Sequence, residues 1–341
     1  MSGRPPARRV RLWIVALLAL GGLAVLALGR GGLLGLPRVP PEVTPERAGL
    51  ADLPALSARA RMLDPGSTAP AGDSAIAETR LGLDEVGRAQ VERGLDDLRR
   101  AVQLAPRDLV VGNAYRMTVF RLRRAALAQA VTRGTLAERL PAALEREPIV
   151  FLETVRREHP GRETTLQLAL AWVDQLLLFP ALEITAPASV QAVSLLTEIL
   201  TEDPYYVPAL YARGLNYLHR PARLVWPETK KAAPDAASRD LGLAVAVGRK
   251  VGGASPELVA TLAIALGDAY AREGKPGRAR SWWQIAQNAT RDPALLESVR
   301  RRFGWQDREM LDRLEVELQE RMRDLDHPPT DLALMWRRGD R

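Results

Sequence analysis

The side chains best suited to metal binding or proton transfer are spread singly through this sequence. Its three histidines, His159, His219 and His327, have no second ligand at a His-x-x-x-His or His–Glu spacing. Zinc and di-iron sites on helices need such pairs. There is no cysteine, which excludes disulfides, thiolate metal sites and thiol nucleophiles. We therefore expect no metal site and no cofactor, and we interpret His219 as a cationic cap at a helix end.

Paired carboxylates are the other arrangement with catalytic potential. Glycan hydrolysis needs two carboxylates across a cleft, roughly 5–9.5 Å apart. Glu183 and Glu228 each fall on a segment predicted to be irregular. They are the candidate carboxylate pair for an alternative hypothesis, in which the protein is an all-helical cell-envelope enzyme that acts on glycan. No nucleophile elbow, phosphate loop or dinucleotide fingerprint occurs. The sequence therefore predicts a protein that is not an enzyme and has no small-molecule substrate.

Cationic and aromatic residues gather in one segment between two predicted helices, residues 220–234. A loop of this length in a helical domain is often functional, and such side chains suit an acidic peptide or a headgroup. We predict a partner-binding element here, and the alternative is that Val225 and Trp226 pack the loop onto the domain. The residues proposed to bind are Arg220, Arg223, Trp226, Lys230 and Lys231.

Helices are the elements that must position these residues. From residue 81 onwards apolar residues recur with helical period, and no stretch alternates with period two for long enough to predict a strand. We predict an all-α domain over 81–326. Its helices are expected at 84–104, 108–133, 136–146, 148–158, 163–179, 188–202, 207–219, 235–251, 256–273, 276–290, 293–303 and 306–325, with Thr185 or Ser189 as the N-cap of the helix at 188.

A repeated pattern of small and aromatic residues runs through two of these helix pairs. In 263–293, Gly267 and Tyr270 fall on the first helix. The second helix adds Ala279, Trp283 and Ala286, and Pro293 closes the unit. Gly214 and Tyr217 repeat the first-helix pattern in "DPYYVPALYARGLNYLHRP". Small residues let two backbones approach closely, and an aromatic ring fills the space beside them.

With this pattern the chain resembles the tetratricopeptide repeat (TPR) family, whose unit is a helix hairpin of about 34 residues. The resemblance implies a divergent α-solenoid that binds a protein or peptide partner. It also implies structural roles for the small and aromatic positions. Gly214 and Gly267 lie farther apart than one unit, and the excess falls in 220–234.

The amino-terminal region is predicted to be a membrane anchor. Residues 12–29 form an apolar run without charge, just long enough to span a bilayer. Four arginines precede it, which predicts a cytoplasmic amino terminus. The alternative is that this region is a signal peptide that is removed by cleavage, with Ala27 and Gly29 at the cleavage site. We expect a single-pass protein of a bacterial inner membrane whose main domain is periplasmic, divided into a cytoplasmic basic tail 1–11, the anchor 12–29, a linker 30–80, the repeat domain 81–326 and a carboxy-terminal tail 327–341.

Two further features concern partners. The net charge is +7, yet arginines alternate with acids along predicted helices, so we expect no nucleic-acid binding. The helix 306–325 places Leu311, Leu314, Leu318, Met322 and Leu325 on one stripe. We predict that this amphipathic helix caps the exposed end of the stack, with a short coiled coil to a partner as the alternative.

Overall fold

The computed structural model describes residues 36–50, 85–132, 147–178, 182–220, 233–252, 254–323 and 328–336. These ranges contain helices and no strand, which confirms the all-α prediction. The helices are α1 (Glu85–Leu104), α2 (Leu109–Thr132), α3 (Ile149–Glu158), α4 (Arg162–Leu178), α5 (Leu182–Glu202), α6 (Val207–His219), α7 (Ala233–Val251), α8 (Pro256–Arg272), α9 (Pro276–Ala289), α10 (Pro293–Phe303), α11 (Met310–Arg323) and α12 (Ala333–Trp336).

The predicted anchor, 12–29, lies outside the described residues. In the part of the chain that is described, no helix combines the length and apolar character that a membrane crossing requires.

Most consecutive helices pack against each other, most extensively in the pairs α4–α5, α6–α7 and α8–α9. Alternate helices also touch: α2 contacts α4, α4 contacts α6, α6 contacts α8 and α8 contacts α10. We call these five helices the even row. One continuous apolar core joins them, with Leu166, Leu210 and Leu266 buried in α4, α6 and α8.

Glycines mark the closest helix approaches in two of the pairs. A Cβ at Gly267 would lie 2.5 Å from Trp283 Cδ1 and 3.1 Å from the Ala279 carbonyl oxygen. A Cβ at Gly214 would lie 2.7 Å from Leu241 Cγ. Because real Cβ atoms do not approach that closely, each glycine is required where its helix meets the next. The side chains of Tyr270, Ala279, Trp283 and Ala286 are buried, and Tyr217 is partly buried.

Helix α5 begins earlier than the sequence predicted. It starts at Leu182 and runs through Pro187, so neither Thr185 nor Ser189 is an N-cap. Ser189 is buried instead, and its hydroxyl donates to Asn216 Oδ1 at 3.0 Å. Proline removes a single helical hydrogen bond, and burial of the α5 face against α4 and α6 offsets that loss.

Residues 36–50, which belong to the predicted linker 30–80, pack on the helical domain. Val43, Ala48 and Leu50 are buried in the helical core. Proline prevents a regular element here but leaves every carbonyl able to accept a hydrogen bond. The donors come from three helices: the Val207 amide to Ala48 O at 3.0 Å, Lys250 Nζ to Val39 O at 3.0 Å, and Arg162 Nη2 to Glu46 O at 2.7 Å.

The carboxy-terminal helix α11 crosses the even row, where the sequence predicted a cap on the end of the stack. It contacts α8 and α6, and α12 contacts α8. Its buried stripe is Met310, Leu314 and Leu318, while Leu311 is 45% exposed. The predicted stripe was wrong at Leu311 because residues four apart, and not those three apart, face the row at this end of the helix.

Candidate functional site

An open groove of about 640 Å³ lies between α3 and α5, with α4 as its floor. Both α3 and α5 pack against α4, and the groove is the space left between them. Leu168 and the partly buried Trp172 form an apolar floor. The walls are formed by Glu153, Arg156 and Arg157 on α3, and by Gln191, Leu195, Glu198, Ile199 and Glu202 on α5.

The local sequence of α3 explains its wall. Ile149, Leu152 and Val155 are buried against the core, with the three- and four-residue spacing of one helix face. Glu153 and Arg157 are therefore left on the exposed side. The groove is not visible in the sequence because its walls come from residues such as Arg156 and Glu198, 42 positions apart.

One ion pair bridges the groove. Arg156 Nη2 donates to both carboxylate oxygens of Glu198, at 2.6 and 2.7 Å, and Arg156 Nε donates to Thr165 Oγ1 at 3.1 Å. The two charged side chains are 33% and 47% exposed. Exposed pairs of this kind are worth less than about 1 kcal/mol, so a ligand with its own charges can replace the bridge at little cost.

A buried polar network lies on the opposite side of α4. Arg116 Nη1 and Asp174 Oδ2 are 2.6 Å apart, and both side chains are almost fully buried. Burial raises the pKa of Asp174, and the nearby Arg116 opposes that rise. Thr330 donates its hydroxyl to Asp174, and its carbonyl accepts from Arg116. Each charge has partners inside the protein, so the network joins the carboxy-terminal segment to α2 and α4.

A second buried network joins α8, α9 and α10. Arg302 Nε and Nη2 donate to the two oxygens of Asp268 at 2.7 and 2.8 Å, and Trp283 Nε1 donates to Asp268 Oδ1 at 3.0 Å. Arg302 is 1% exposed and Asp268 is 0% exposed. Because the carboxylate is enclosed and fully paired, it contacts groups from two neighbouring helices and is not open to a substrate.

His219 is not the cationic cap that the sequence predicted. Burial, together with the charges of Arg321 and Arg272, lowers its pKa to about 4, so the ring is neutral at pH 7. Its Nδ1 lies 2.9 Å from Leu215 O. Arg272 caps the end of α6 instead, by donating to the carbonyls of Leu218 and Arg220.

The residues proposed from sequence fall mostly outside the described part of the chain. Arg223, Trp226, Lys230 and Lys231 lie outside it, as does Glu228. Arg220 is partly buried at the end of α6, with its guanidinium 4.9 Å from the Tyr217 ring centroid and its Nη2 3.3 Å from Ser189 Oγ.

Glu183 belongs to α5 and not to an irregular segment. Among the described residues, no three His, Asp or Glu side chains come together as a metal site would require.

In the described residues, the fold is all-α, with packed helix pairs and an open groove between α3 and α5. No protein family, curated protein or solved structure matches the chain. The resemblance to TPR proteins therefore rests on the residue pattern alone.

Proposed function

We propose that this protein is a membrane-anchored scaffold that binds a protein or peptide partner outside the cytoplasm. The observation that supports the proposal is the groove between α3 and α5. Its apolar floor, with Trp172 partly exposed, offers an anchor site for an apolar partner side chain. The even row is not equally open, because α11 crosses it.

The groove walls favour a partner segment of mixed charge. Arg156 and Arg157 line the α3 side, and Glu198 and Glu202 line the α5 side. An amphipathic helix laid along the groove places its apolar stripe on the floor and its charged flanks against these two walls. The segment 220–234 remains proposed as a second contact, through Arg220 and the cations that follow it.

The anchor is supported by sequence alone, through the apolar run 12–29 and the arginines before it. No observation in the described residues favours the alternative of a glycan-cleaving enzyme, since Glu183 lies in a helix and the proposed partner carboxylate belongs to the part of the chain that is not described.

Affinity purification from solubilised membranes tests the proposal. The wild type should retain a stoichiometric protein partner. Arg157→Glu reverses a charge on the α3 wall and should weaken capture about tenfold, the effect of losing about 1.4 kcal/mol. Arg100→Glu, a matched reversal at an exposed position on α1, should leave capture unchanged. A partner that binds Arg157→Glu as tightly as wild type would exclude the groove as its site.

A further inference from the structure

The docked segment 36–50 determines where the amino-terminal chain joins the helical domain. Leu36 and Pro37 lie over Gly242 in the middle of α7, where a Cβ would be 3.9 Å from a side-chain carbon of each. Lys250, near the end of α7, donates to the carbonyls of Val39 and Pro40. The chain therefore reaches the domain at α7.

Few residues separate this junction from the proposed anchor. The apolar run ends at residue 29, so residues 30–35 alone connect it to Leu36. At 3.3–3.6 Å per residue, such a connection spans at most about 25 Å when fully extended. With 36–50 docked, the middle of α7 is held within that distance of the hydrocarbon boundary.

Helix α11 provides a comparison for the exposed side of α7. Both α7 and α11 pack against α6 and α8. The two helices do not pack substantially on each other, so they lie on opposite sides of the α6–α8 layer. Contacting helices have axes about 8–10 Å apart, which puts α11 roughly two helix layers from the exposed side of α7.

The side of α7 next to the junction carries three exposed cations. Arg38, Arg239 and Lys250 are exposed there. Arg239 is one helical turn from Gly242, and its side chain is 70% exposed. Cations close to a membrane surface are attracted by anionic lipid headgroups.

We infer that the exposed side of α7, around Arg38, Arg239 and Lys250, faces the bilayer and contacts anionic headgroups, while α11 faces away. This inference rests on the anchor in the proposed function. The orientation follows from the docked segment. Because residues 36–50 are held on the domain, only six residues, 30–35, separate the domain from the apolar run.

Fluorescence quenching by a headgroup-nitroxide lipid tests the orientation. The chain has no cysteine, so a single introduced cysteine takes the fluorophore. The probe position is Arg239→Cys on α7, and the matched control is Gln319→Cys, at an exposed position on α11. The full chain is reconstituted in vesicles of phosphatidylcholine and phosphatidylglycerol. We expect a loss of emission at position 239 and none at position 319.

A second variant tests the tether itself. A Gly-Ser insertion of about 20 residues after Arg30 has a root-mean-square span of roughly 25 Å by itself and leaves the helices unchanged. The emission loss at position 239 should then disappear. Quenching at position 239 that survives the insertion would overturn the short tether as the cause of the orientation. Equal quenching at positions 239 and 319 would overturn the orientation itself. Failure of the full chain to float with the vesicles would instead overturn the proposed anchor, and this orientation with it.

Discussion

Asp268 shows at the scale of single residues how this protein uses charge. The carboxylate lies on α8 and accepts hydrogen bonds from Trp283 on α9 and Arg302 on α10. The repeat pattern predicted that Trp283 fills the space beside Gly267, and the ring does lie there. The pattern did not predict the acid, because helical periodicity reports which face is apolar and says nothing about a charge that is buried with its partner.

Removing Asp268 alone should be costly. Asp268→Leu leaves the guanidinium of Arg302 buried without its main partner, which should lower the free energy of unfolding by about 3–5 kcal/mol. Adding Arg302→Met should restore much of that loss, because no uncompensated charge remains. Urea denaturation measures both, with Glu297→Ala at an exposed position on α10 as a control that should change stability by less than about 0.5 kcal/mol. A double variant as unstable as the single one would show that the ion pair itself holds the helices.

His219 should make the protein sensitive to acid. Its pKa is about 4 in the folded state and 6.5 without the protein environment. Above pH 6.5 both states are neutral at this site and full stability is present. As the pH falls from 6.5 to 4, the unfolded chain takes up a proton that the folded chain refuses, and up to about 3 kcal/mol is lost.

The measurement is the melting temperature between pH 7 and pH 4. His219→Gln should flatten part of the decline, and His159→Gln, at an exposed position, should not change it. Parallel curves for wild type and His219→Gln would contradict a neutral, buried ring.

At the scale of elements, the sequence predicted the helices better than the contacts between them. Helices α6 and α10 begin and end at the predicted residues, because Pro208 and Pro293 mark their first turns. The start of α5 was predicted too late. A proline normally indicates the end of a helix, whereas Pro187 is accommodated inside the packed helix. The groove could not be predicted, because it depends on how far apart α3 and α5 lie on α4.

The docked segment 36–50 offers a prediction of its own. Gly49 has φ +69°. A Cβ there would lie 2.7 Å from Tyr206 Cδ2. Gly49→Ala should therefore release the segment, so that trypsin can cleave after Arg47, whose neighbour Ala48 is buried in the folded protein. Gly252→Ala is the matched control, since Gly252 has φ +71° and nothing within 4 Å of the added carbon.

The control should cost about 1–2 kcal/mol from backbone conformation alone. The effect of Gly49→Ala on the melting temperature should be the larger of the two. Equal effects would mean that the contact between Gly49 and Tyr206 does not hold the segment in place.

At the scale of the whole molecule, the proposed topology predicts where the domain resides. A periplasmic reporter fused after Arg341 should be active, because four arginines before the apolar run predict an amino terminus on the cytoplasmic side and a carboxy terminus across the membrane. The control is the same fusion without residues 1–30, which should stay in the cytoplasm. Equal activity of a periplasmic reporter in both fusions would contradict the anchor and its orientation together.

The carboxy-terminal segment separates this protein from a simple stack in which each pair touches its neighbours. Asn113 Nδ2 donates to Asp331 Oδ1 at 2.8 Å, across 218 residues of chain. A chain that emerges from its amino terminus forms α2 and α4 long before it makes Thr330 and Asp331. Until then, Arg116 and Asp174 lack the hydroxyl and carbonyl that complete their network. The network on α2 and α4 is therefore completed only when the carboxy-terminal segment arrives. Contacts between residues so far apart in sequence form slowly. During that interval the uncovered face of α2 and α4 is the surface that a chaperone or a protease would meet first.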